Sequence, residues 1–188
     1  MKHKKENNKK IPSIKYFSMF SGIGGFELGI ELATKGLAEC VGYSEIDKFA
    51  TQVYRKHYPN HKNYGDITKI VAEELPNFNV LIGGVPCQSW SLAGHRKGFE
   101  DARGTMWYEA FRIIDKKKPK YILLENVKGL LSHDGGKSFE QILEVICELG
   151  YVVDFTVLNS KNFGVPQNRE RVFILGIRED IVDKKEVI

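Results

Sequence analysis

One of the three cysteines, Cys87, lies where a thiol could act as a nucleophile. It follows a short apolar run at residues 79–85 and comes directly after Pro86, in the order Gly-Gly-Val-Pro-Cys-Gln. The proline and the two glycines favour a loop at a strand end, where functional residues concentrate. Cys40 and Cys147 fall instead within a strand pattern and a helix pattern, which predicts small buried apolar side chains. Cys87 is therefore the candidate for nucleophilic catalysis.

Two further charged residues adjoin apolar strands and could assist such a nucleophile. Glu125 ends the apolar part of Leu-Leu-Glu-Asn-Val, where a charged carboxylate is costly to bury, so a general acid is one interpretation. A salt-bridged structural carboxylate is the alternative. Arg171 closes the polar run Gln-Asn-Arg-Glu-Arg and enters a strand directly. Charged runs are usually solvated, but this position predicts that the Arg171 side chain points into the fold.

A glycine-rich turn at residues 21–25, Ser-Gly-Ile-Gly-Gly, follows the first apolar run and precedes a helical pattern. Glycines there allow a tight turn and the close approach of a ligand. Glu45 lies 20 residues beyond Gly25 (45 − 25), where an acidic residue could bind a ribose hydroxyl or stand at a helix N-terminus. Asp66 could accept from an adenine amino group or form an Asx-turn. The set favours an adenosyl cofactor over a phosphate nucleotide, because the sequence contains no Gly-Lys-Ser/Thr phosphate loop.

The elements that must position these residues alternate between strand and helix patterns. Strands are predicted over residues 15–20, 39–43, 79–85, 120–127, 151–158 and 171–177, and helices over residues 26–34, 49–57, 106–114 and 139–149. Such alternation predicts crossover units, hence an α/β fold with a mostly parallel sheet. The glycine turn, Glu45, Cys87 and Glu125 all fall at strand ends, where ligands bind in sheets of this kind.

Five motifs occur in order and together identify a resemblance. They are Phe-Ser-Gly-Ile-Gly-Gly-Phe at 20–26, Pro-Cys-Gln at 86–88, Arg-Gly-Thr at 103–105, Glu-Asn-Val at 125–127 and Gln-Asn-Arg-Glu-Arg at 167–171. From about residue 15 to residue 177, the chain resembles the cytosine carbon-5 DNA methyltransferase family. The resemblance implies a Rossmann-like S-adenosylmethionine-dependent methyltransferase fold, with helices on both faces of the sheet.

The resemblance also implies covalent catalysis on a cytosine that is flipped out of duplex DNA. Cys87 is expected to add to carbon 6 of the base, which lets carbon 5 take the methyl group of S-adenosylmethionine. Glu125 is expected to hydrogen-bond ring nitrogen 3 and the amino group. Arg171 would bind the carbonyl oxygen of the base, with Arg169 near the same site.

Cofactor and DNA contacts are carried over from the same resemblance. Phe20 is expected on the adenine, Glu45 on the ribose and Asp66 on the adenine amino group. The remaining expected cofactor contacts are Gly22, Gly24, Gly25, Ile46, Ile67, Pro86 and Met106. The stretch 88–104 resembles the loop that closes over DNA. Its expected DNA contacts are Gln88, Ser91, Arg96, Lys97 and Arg103.

The domain organisation expected from the sequence is a head at residues 1–12 followed by a methyltransferase catalytic domain at residues 13–188. Five lysines make the head basic, which predicts disorder or, alternatively, a non-specific phosphate contact. In the family, a target-recognition region and a small motif that returns to the cofactor site follow this half, and neither is recognisable here. We therefore expect a fragment, a truncated product or one subunit of a split enzyme. Its partners would be double-stranded DNA and possibly a second polypeptide.

Composition narrows the cellular setting. Hydrophobic residues make up 42% and charged residues 28% of the chain, with a net charge of +4, as in soluble domains. No apolar run approaches the roughly 18 residues of a membrane span, and no secretory signal follows the basic head. The sparse cysteines predict neither a disulfide framework nor a metal site, so we expect a metal-free cytoplasmic protein.

Three alternatives compete with DNA methylation, which in bacteria and phages serves restriction-modification or mobile-element modification. A transfer-RNA cytosine methyltransferase shares most of the motifs, although Lys-Gly-Phe-Glu-Asp at 97–101 looks more like the bacterial DNA enzymes. A cofactor-binding remnant that is inactive without a partner is the second. The third, a dinucleotide oxidoreductase, is disfavoured by the Gly-x-Gly-Gly spacing.

Overall fold

A computed structural model describes residues 14–86 and 106–182 of the chain. Within these ranges strands and helices alternate, as β1 (Ile14–Met19), α1 (Gly25–Thr34), β2 (Ala38–Ser44), α2 (Lys48–His57), β3 (Val80–Gly84), α3 (Met106–Lys117), β4 (Tyr121–Val127), α4 (Lys137–Glu148), β5 (Tyr151–Asn159) and β6 (Glu170–Arg178). Short 3-10 turns occur between several of them. None of the helices in the described ranges is long and apolar enough to cross a membrane.

The strands form one sheet in the order β2-β1-β3-β4-β6-β5. The neighbours from β2 to β4 are parallel, whereas β6 runs antiparallel to both β4 and β5. The prediction of an α/β fold with a mostly parallel sheet is therefore confirmed. The chain leaves β1 toward β2 and returns on its other side as β3, so the carboxyl ends of β1 and β3 flank the crevice where ligands bind in such sheets.

The main hydrophobic core lies between the sheet and the helices α3 and α4. Phe17 and Met19 of β1 are fully buried in it, together with Phe111 of α3 and Ile142 of α4. Because side chains alternate along a strand, Tyr16 and Ser18 face the opposite side, where Ser18 meets Glu27 of α1. The predicted helices on both faces are thus present, and the core holds the carboxyl ends of the strands in place.

The prediction that Cys147 is buried is wrong, and burial along α2 is uneven. On α2, Phe49 is 65% exposed while Tyr54 is fully buried against Tyr43. The reason is that α2 packs beside β2, the edge strand, where little sheet surface remains to be covered. Cys147 is exposed rather than buried. It comes one residue after the buried Ile146, and a step of about 100° around the helix turns it away from the core.

Candidate functional site

The turn after β1 is built from backbone conformations that few residues tolerate. Phe20 has φ +50°, and Gly22 and Gly24 have φ +56° and +96°. A positive φ in a bulky residue such as Phe20 is strained by about 1–3 kcal/mol and marks turns shaped for function. A Cβ on Gly24 would lie 2.8 Å from the Tyr58 ring, whereas a Cβ on Gly22 would meet nothing within 4 Å. Gly22 therefore faces open space, and Gly24 is packed against the fold.

Glu45 ties this turn to the end of β2. One oxygen of its carboxylate, Oε2, accepts from the Gly22 amide at 2.8 Å, and the other, Oε1, accepts from the Asp47 amide at 2.7 Å. Asp47, rather than Glu45, caps α2 by accepting from the Ala50 amide. Ile46 lies between them and is 75% exposed. The carboxylate is thus fixed by backbone amides beside an exposed apolar side chain, an arrangement suited to a ribose next to a flat ring.

A neighbouring asparagine that the sequence did not single out holds the next turn. The Asn63 amide donates to the Glu45 carbonyl at 3.0 Å, and its Oδ1 accepts from the Gly65 amide at 2.8 Å. Ser44 Oγ donates to the Gly65 carbonyl at 2.7 Å. An asparagine two residues before a glycine is an ordinary turn signal, so only its contact with Glu45 could have identified it.

Asp66 follows in this turn and shows the Asx-turn geometry left open by the sequence. Its Oδ1 accepts from the backbone and side chain of Thr68 at 3.0 and 2.8 Å, and it caps the turn Ile67–Lys69. These hydrogen bonds to Thr68 lower the pKa of Asp66. Ile67 is buried in the core, and its side chain is 3% exposed. The Asp66 carboxylate therefore stays charged with Oδ2 on its outer side, where Lys69 Nζ lies 3.5 Å away.

A second cluster lies at the same edge of the sheet, where β4 and β6 pair. Glu125 Oε1 and Arg171 Nε are 2.8 Å apart, and each side chain is 21% exposed. They open into a cavity of about 320 Å³, within the usual range for small-ligand pockets. The other lining residues are Leu158, Ser160, Phe163, Arg169 and Phe173. The salt-bridged alternative for Glu125 is therefore what the structure shows, and Arg171 points into the fold as predicted.

The end of β3 is fitted closely to Glu125 and its neighbour. A Cβ on Gly84 would lie 3.1 Å from Glu125 Oε2, so the glycine leaves room for the carboxylate. Asn126, which is buried, donates from Nδ2 to the Val85 carbonyl at 2.8 Å. This contact anchors the chain just before Pro86, so β4 positions both the carboxylate and the start of the Pro-Cys-Gln segment.

Several expected site residues lie outside the described ranges, namely Cys87, Gln88, Ser91, Arg96, Lys97 and Arg103. Pro86 and Met106, the described residues on either side of that gap, are both partly buried. Met106 begins α3 and packs against the main core. Of the expected residues, the structure thus brings Glu125, Arg169 and Arg171 together, and separately joins Gly22 to Glu45.

Two residues that sequence reasoning missed hold the segment that carries Arg169 in place. Asn159 Oδ1 accepts from the Arg169 amide at 3.2 Å, and Asn159 Nδ2 donates to Asn168 Oδ1 at 2.7 Å. Ser160 Oγ donates to the Gln167 carbonyl at 2.5 Å, and the Ser160 amide donates to the Arg169 carbonyl. Polar residues at the end of β5 therefore set where the segment before β6 lies.

Comparison with known proteins agrees with this geometry. The sequence model of the family described as C-5 cytosine-specific DNA methylase matches residues 14–187. Orphan methyltransferase M.SPRI of Bacillus phage SPR is 47% identical over 175 residues, covering 92% of this chain and 40% of that protein. Type II methyltransferase M.HhaI of Haemophilus parahaemolyticus is 39% identical, covering 93% of this chain and 52% of that protein. The chain thus spans about half or less of the length of these relatives.

Solved structures show the same fold. The Dnmt2 methyltransferase of S. pombe superposes with a TM-score of 0.73 at 23% identity, covering 93% of this chain and 56% of that one. A putative DNA modification methyltransferase encoded within an E. coli prophage also gives 0.73, at 21% identity, covering 92% of this chain and 50% of that one. At 21% and 23% identity, the structural likeness shows the fold alone. The family assignment rests on the sequence matches. The chain belongs to the C-5 cytosine-specific DNA methylase family.

Proposed function

We propose that this chain carries the catalytic part of a DNA cytosine-5 methyltransferase, which transfers a methyl group from S-adenosylmethionine to carbon 5 of cytosine. The observation that supports it most is the Glu125–Arg171 pair, which opens into a cavity beside the strand end that leads to Cys87. A carboxylate and a guanidinium side by side offer both acceptors and donors. The edge of cytosine, with its amino group, ring nitrogen 3 and carbonyl oxygen, needs that combination.

Each group of the pair has a separate task in the proposed reaction. Glu125 accepts a hydrogen bond from the amino group, and a proton shared between its other oxygen and ring nitrogen 3 stabilises the negative charge that develops on the ring. Arg171 holds Glu125 through Nε and the Glu170 carbonyl through Nη1, which leaves further N–H groups of its planar fork for the carbonyl oxygen of the base. Arg169 adds positive charge to the same cavity.

Cys87 is the proposed nucleophile, in line with the family resemblance of the Pro-Cys-Gln segment. Its thiolate forms a bond to carbon 6, and the electron pair of the 5,6 double bond becomes available at carbon 5. After carbon 5 gains the methyl group, a base removes its proton. The sulfur–carbon bond then breaks, which restores the double bond and frees the thiolate.

The residues at the other strand ends fit S-adenosylmethionine, which supplies the methyl group when bound. Gly22 faces open space, Glu45 is held by two amides, and Ile46 is exposed beside it. We assign the ribose to Glu45, the adenine ring to Phe20 and Ile46, and its amino group to Asp66. Gly24, Gly25, Ile67, Pro86 and Met106 complete the proposed set by shaping the turn and the pocket walls.

Duplex DNA is the proposed substrate, with phosphate and groove contacts from Gln88, Ser91, Arg96, Lys97 and Arg103. We propose that residues 13–188 act as one catalytic domain after a basic head at residues 1–12. Sequence is read by contacts to base edges, and phosphate contacts carry no sequence information. Because the relatives are about twice as long or longer, we propose that a target-recognition region, in the same protein or on a second polypeptide, completes the site.

Covalent trapping tests this function. DNA containing 5-fluorocytosine cannot lose its carbon-5 substituent, so it should trap the chain as an adduct when S-adenosylmethionine and a target-recognition polypeptide from a relative are supplied. Cys87→Ser should abolish trapping, whereas Cys40→Ser and Cys147→Ser, the matched controls, should leave it intact. Adducts that persist in Cys87→Ser contradict the assignment. Trapping by transfer RNA but not by DNA would favour the transfer-RNA alternative.

A further inference from the structure

A buried polar cluster lies directly beneath the glycine turn and outside the groups used above. Glu27 of α1 is fully buried. The Tyr54 hydroxyl of α2 donates to Glu27 Oε1 at 3.1 Å, and His61 Nδ1 lies 3.0 Å from the same hydroxyl oxygen. The Tyr58 ring stacks on His61 with ring centroids 5.0 Å apart. The cluster thus joins α1, α2 and the segment after α2.

The unpaired atoms of this cluster indicate its protonation state. Glu27 Oε2 and Ser18 Oγ are both buried, and neither has a hydrogen-bond partner of good geometry among the described residues. Yet the Ser18 hydroxyl faces the Glu27 carboxyl. Ser18, the Glu27 backbone and Tyr54 offer donors to the carboxyl group, but its burial outweighs them and favours the uncharged form. A protonated Glu27 can donate from Oε2 to Ser18 Oγ, which satisfies both atoms. Tyr54 still donates to Oε1, and His61 can donate to Tyr54.

The cluster is in contact with the turn that would hold the cofactor. A Cβ on Gly24 would lie 2.8 Å from the Tyr58 ring and 3.3 Å from the Tyr54 ring. The turn therefore rests on the two tyrosines, with no space to absorb a shift. A charge on Glu27 would draw donors or water inward and displace Tyr54, and Gly22 and Glu45 would move with the turn.

We propose that Glu27, in its protonated form, is a positioning residue that locks α1 to α2 beneath the glycine turn and so holds the S-adenosylmethionine site in its binding geometry. This inference rests on the proposed function. It assigns to Glu27 no contact with the cofactor or the base, and its effect passes through Tyr54, Tyr58 and Gly24.

Burial favours the uncharged forms of the thiol, the hydroxyls and the imidazole around Glu27. The titratable side chains that face it, from every neighbouring element, are Tyr16, Cys40, Tyr54, Tyr58, His61 and, one turn along α1, Glu31. Burial raises the pKa of the Cys40 thiol to about 11 and raises the pKa values of the three tyrosines. Burial lowers the pKa of His61, so its ring is neutral above its ordinary value of 6.5.

Burial also raises the pKa of Glu27 above its ordinary value of 4.5. The folded state therefore binds this proton more tightly than the unfolded state does. The resulting contribution to stability is fully present below pH 4.5 and is lost as the pH rises through the raised pKa. Stability and cofactor affinity should both fall on the alkaline side for this reason.

The test compares wild type with Glu27→Gln, which mimics the protonated form, and with Glu31→Gln, an exposed carboxylate on the same helix. S-adenosylmethionine affinity is measured by calorimetry from pH 6.5 to 9, and thermal unfolding is followed without cofactor from pH 5 to 9. Between pH 6.5 and 9, the S-adenosylmethionine affinity of wild type and of Glu31→Gln should fall roughly fivefold further than that of Glu27→Gln. A fivefold change is the lower end of the coupling found between linked sites. Glu27→Gln should melt higher than wild type at pH 8–9, with a gap that narrows toward pH 5.

The outcomes separate this inference from the proposed function. Parallel pH slopes for wild type and Glu27→Gln, or a Glu27→Gln chain that fails to fold, overturn the protonated link. If the affinities of wild type and Glu27→Gln change with pH in the same way while their unfolding temperatures change differently, the protonated link stands but its positioning role is overturned. A wild type that binds no S-adenosylmethionine at any pH contradicts the proposed cofactor, and the positioning role fails with it.

Discussion

The proposed cofactor site around Glu45, the cofactor end, and the proposed base site around Glu125, the base cavity, use a carboxylate in two different ways. At the cofactor end, Glu45 is held by the backbone amides of Gly22 and Asp47. In the base cavity, Glu125 is held by the guanidinium of Arg171. The first site depends on chain conformation, because amides point inward only where glycines allow the turn. The second depends on strand pairing, because the guanidinium of Arg171 lies on β6 while Glu125 lies on β4.

This difference predicts which substitutions each site tolerates. Every substitution except proline keeps the backbone amide, so the cofactor end should respond mainly to changes in the carboxylate or in the glycines that shape the turn. The cavity should respond to substitution of either Glu125 or Arg171, since removing one side chain leaves the other partly buried and unpaired. The two sites should also fail separately, one losing cofactor affinity and the other losing turnover.

The largest expected effect is on the cavity. Arg171→Ala should lower methyl transfer to DNA by roughly 100-fold or more, in the presence of the target-recognition polypeptide, since it removes a donor aimed at the reacting base. Affinity for S-adenosylmethionine should not change. Lys128→Ala is the matched control, because Lys128 pairs with the neighbouring Glu170 on the exposed side of the same strands. Equal losses of cofactor affinity and turnover would show that the two sites are not independent.

A smaller effect is expected at the cofactor end. Glu45→Ala should weaken S-adenosylmethionine binding by about 1–3 kcal/mol, the scale of a lost charged hydrogen bond. Asp47→Ala removes the cap of α2, so it should lower stability by about 1 kcal/mol and leave the affinity nearly unchanged. Calorimetry and urea unfolding on the same three proteins make the comparison. An unchanged affinity in Glu45→Ala would reduce Glu45 to a residue that only shapes the turn.

An effect of similar size is expected on the stability of the turn itself, and its measurement needs no ligand. Gly24→Ala should lower the free energy of unfolding by about 1–3 kcal/mol, because Gly24 has φ +96° and its new Cβ would press on the Tyr58 ring. Gly25→Ala is the matched control, since a Cβ there meets nothing within 4 Å and Gly25 starts α1. It should be neutral or slightly stabilising. Similar losses in both variants would mean that the turn tolerates no added atom at either place.

Sequence patterns predicted the elements to within one or two residues at most ends, because periodicity and turn chemistry are local properties of the chain. They failed for the exposure of Cys147, which a step of about 100° from the buried Ile146 turns away from the core. They also gave no reason to select Asn63 or Asn159, whose roles are contacts with distant backbone. Asparagine is common in turns, so its presence alone carries little information.

By itself, the sequence determined the family, the alternating elements and the placing of Glu45 and Glu125 at strand ends. Only the tertiary structure decided that β6 lies between β4 and β5 and brings Arg171 to Glu125, 46 positions earlier in the chain (171 − 125). It also decided that the buried Glu27 lies against Ser18 and Tyr54, with His61 on the Tyr54 hydroxyl. The physical reason is that strand order and the pairing of buried polar groups depend on long-range contacts, which no local pattern of residue types encodes.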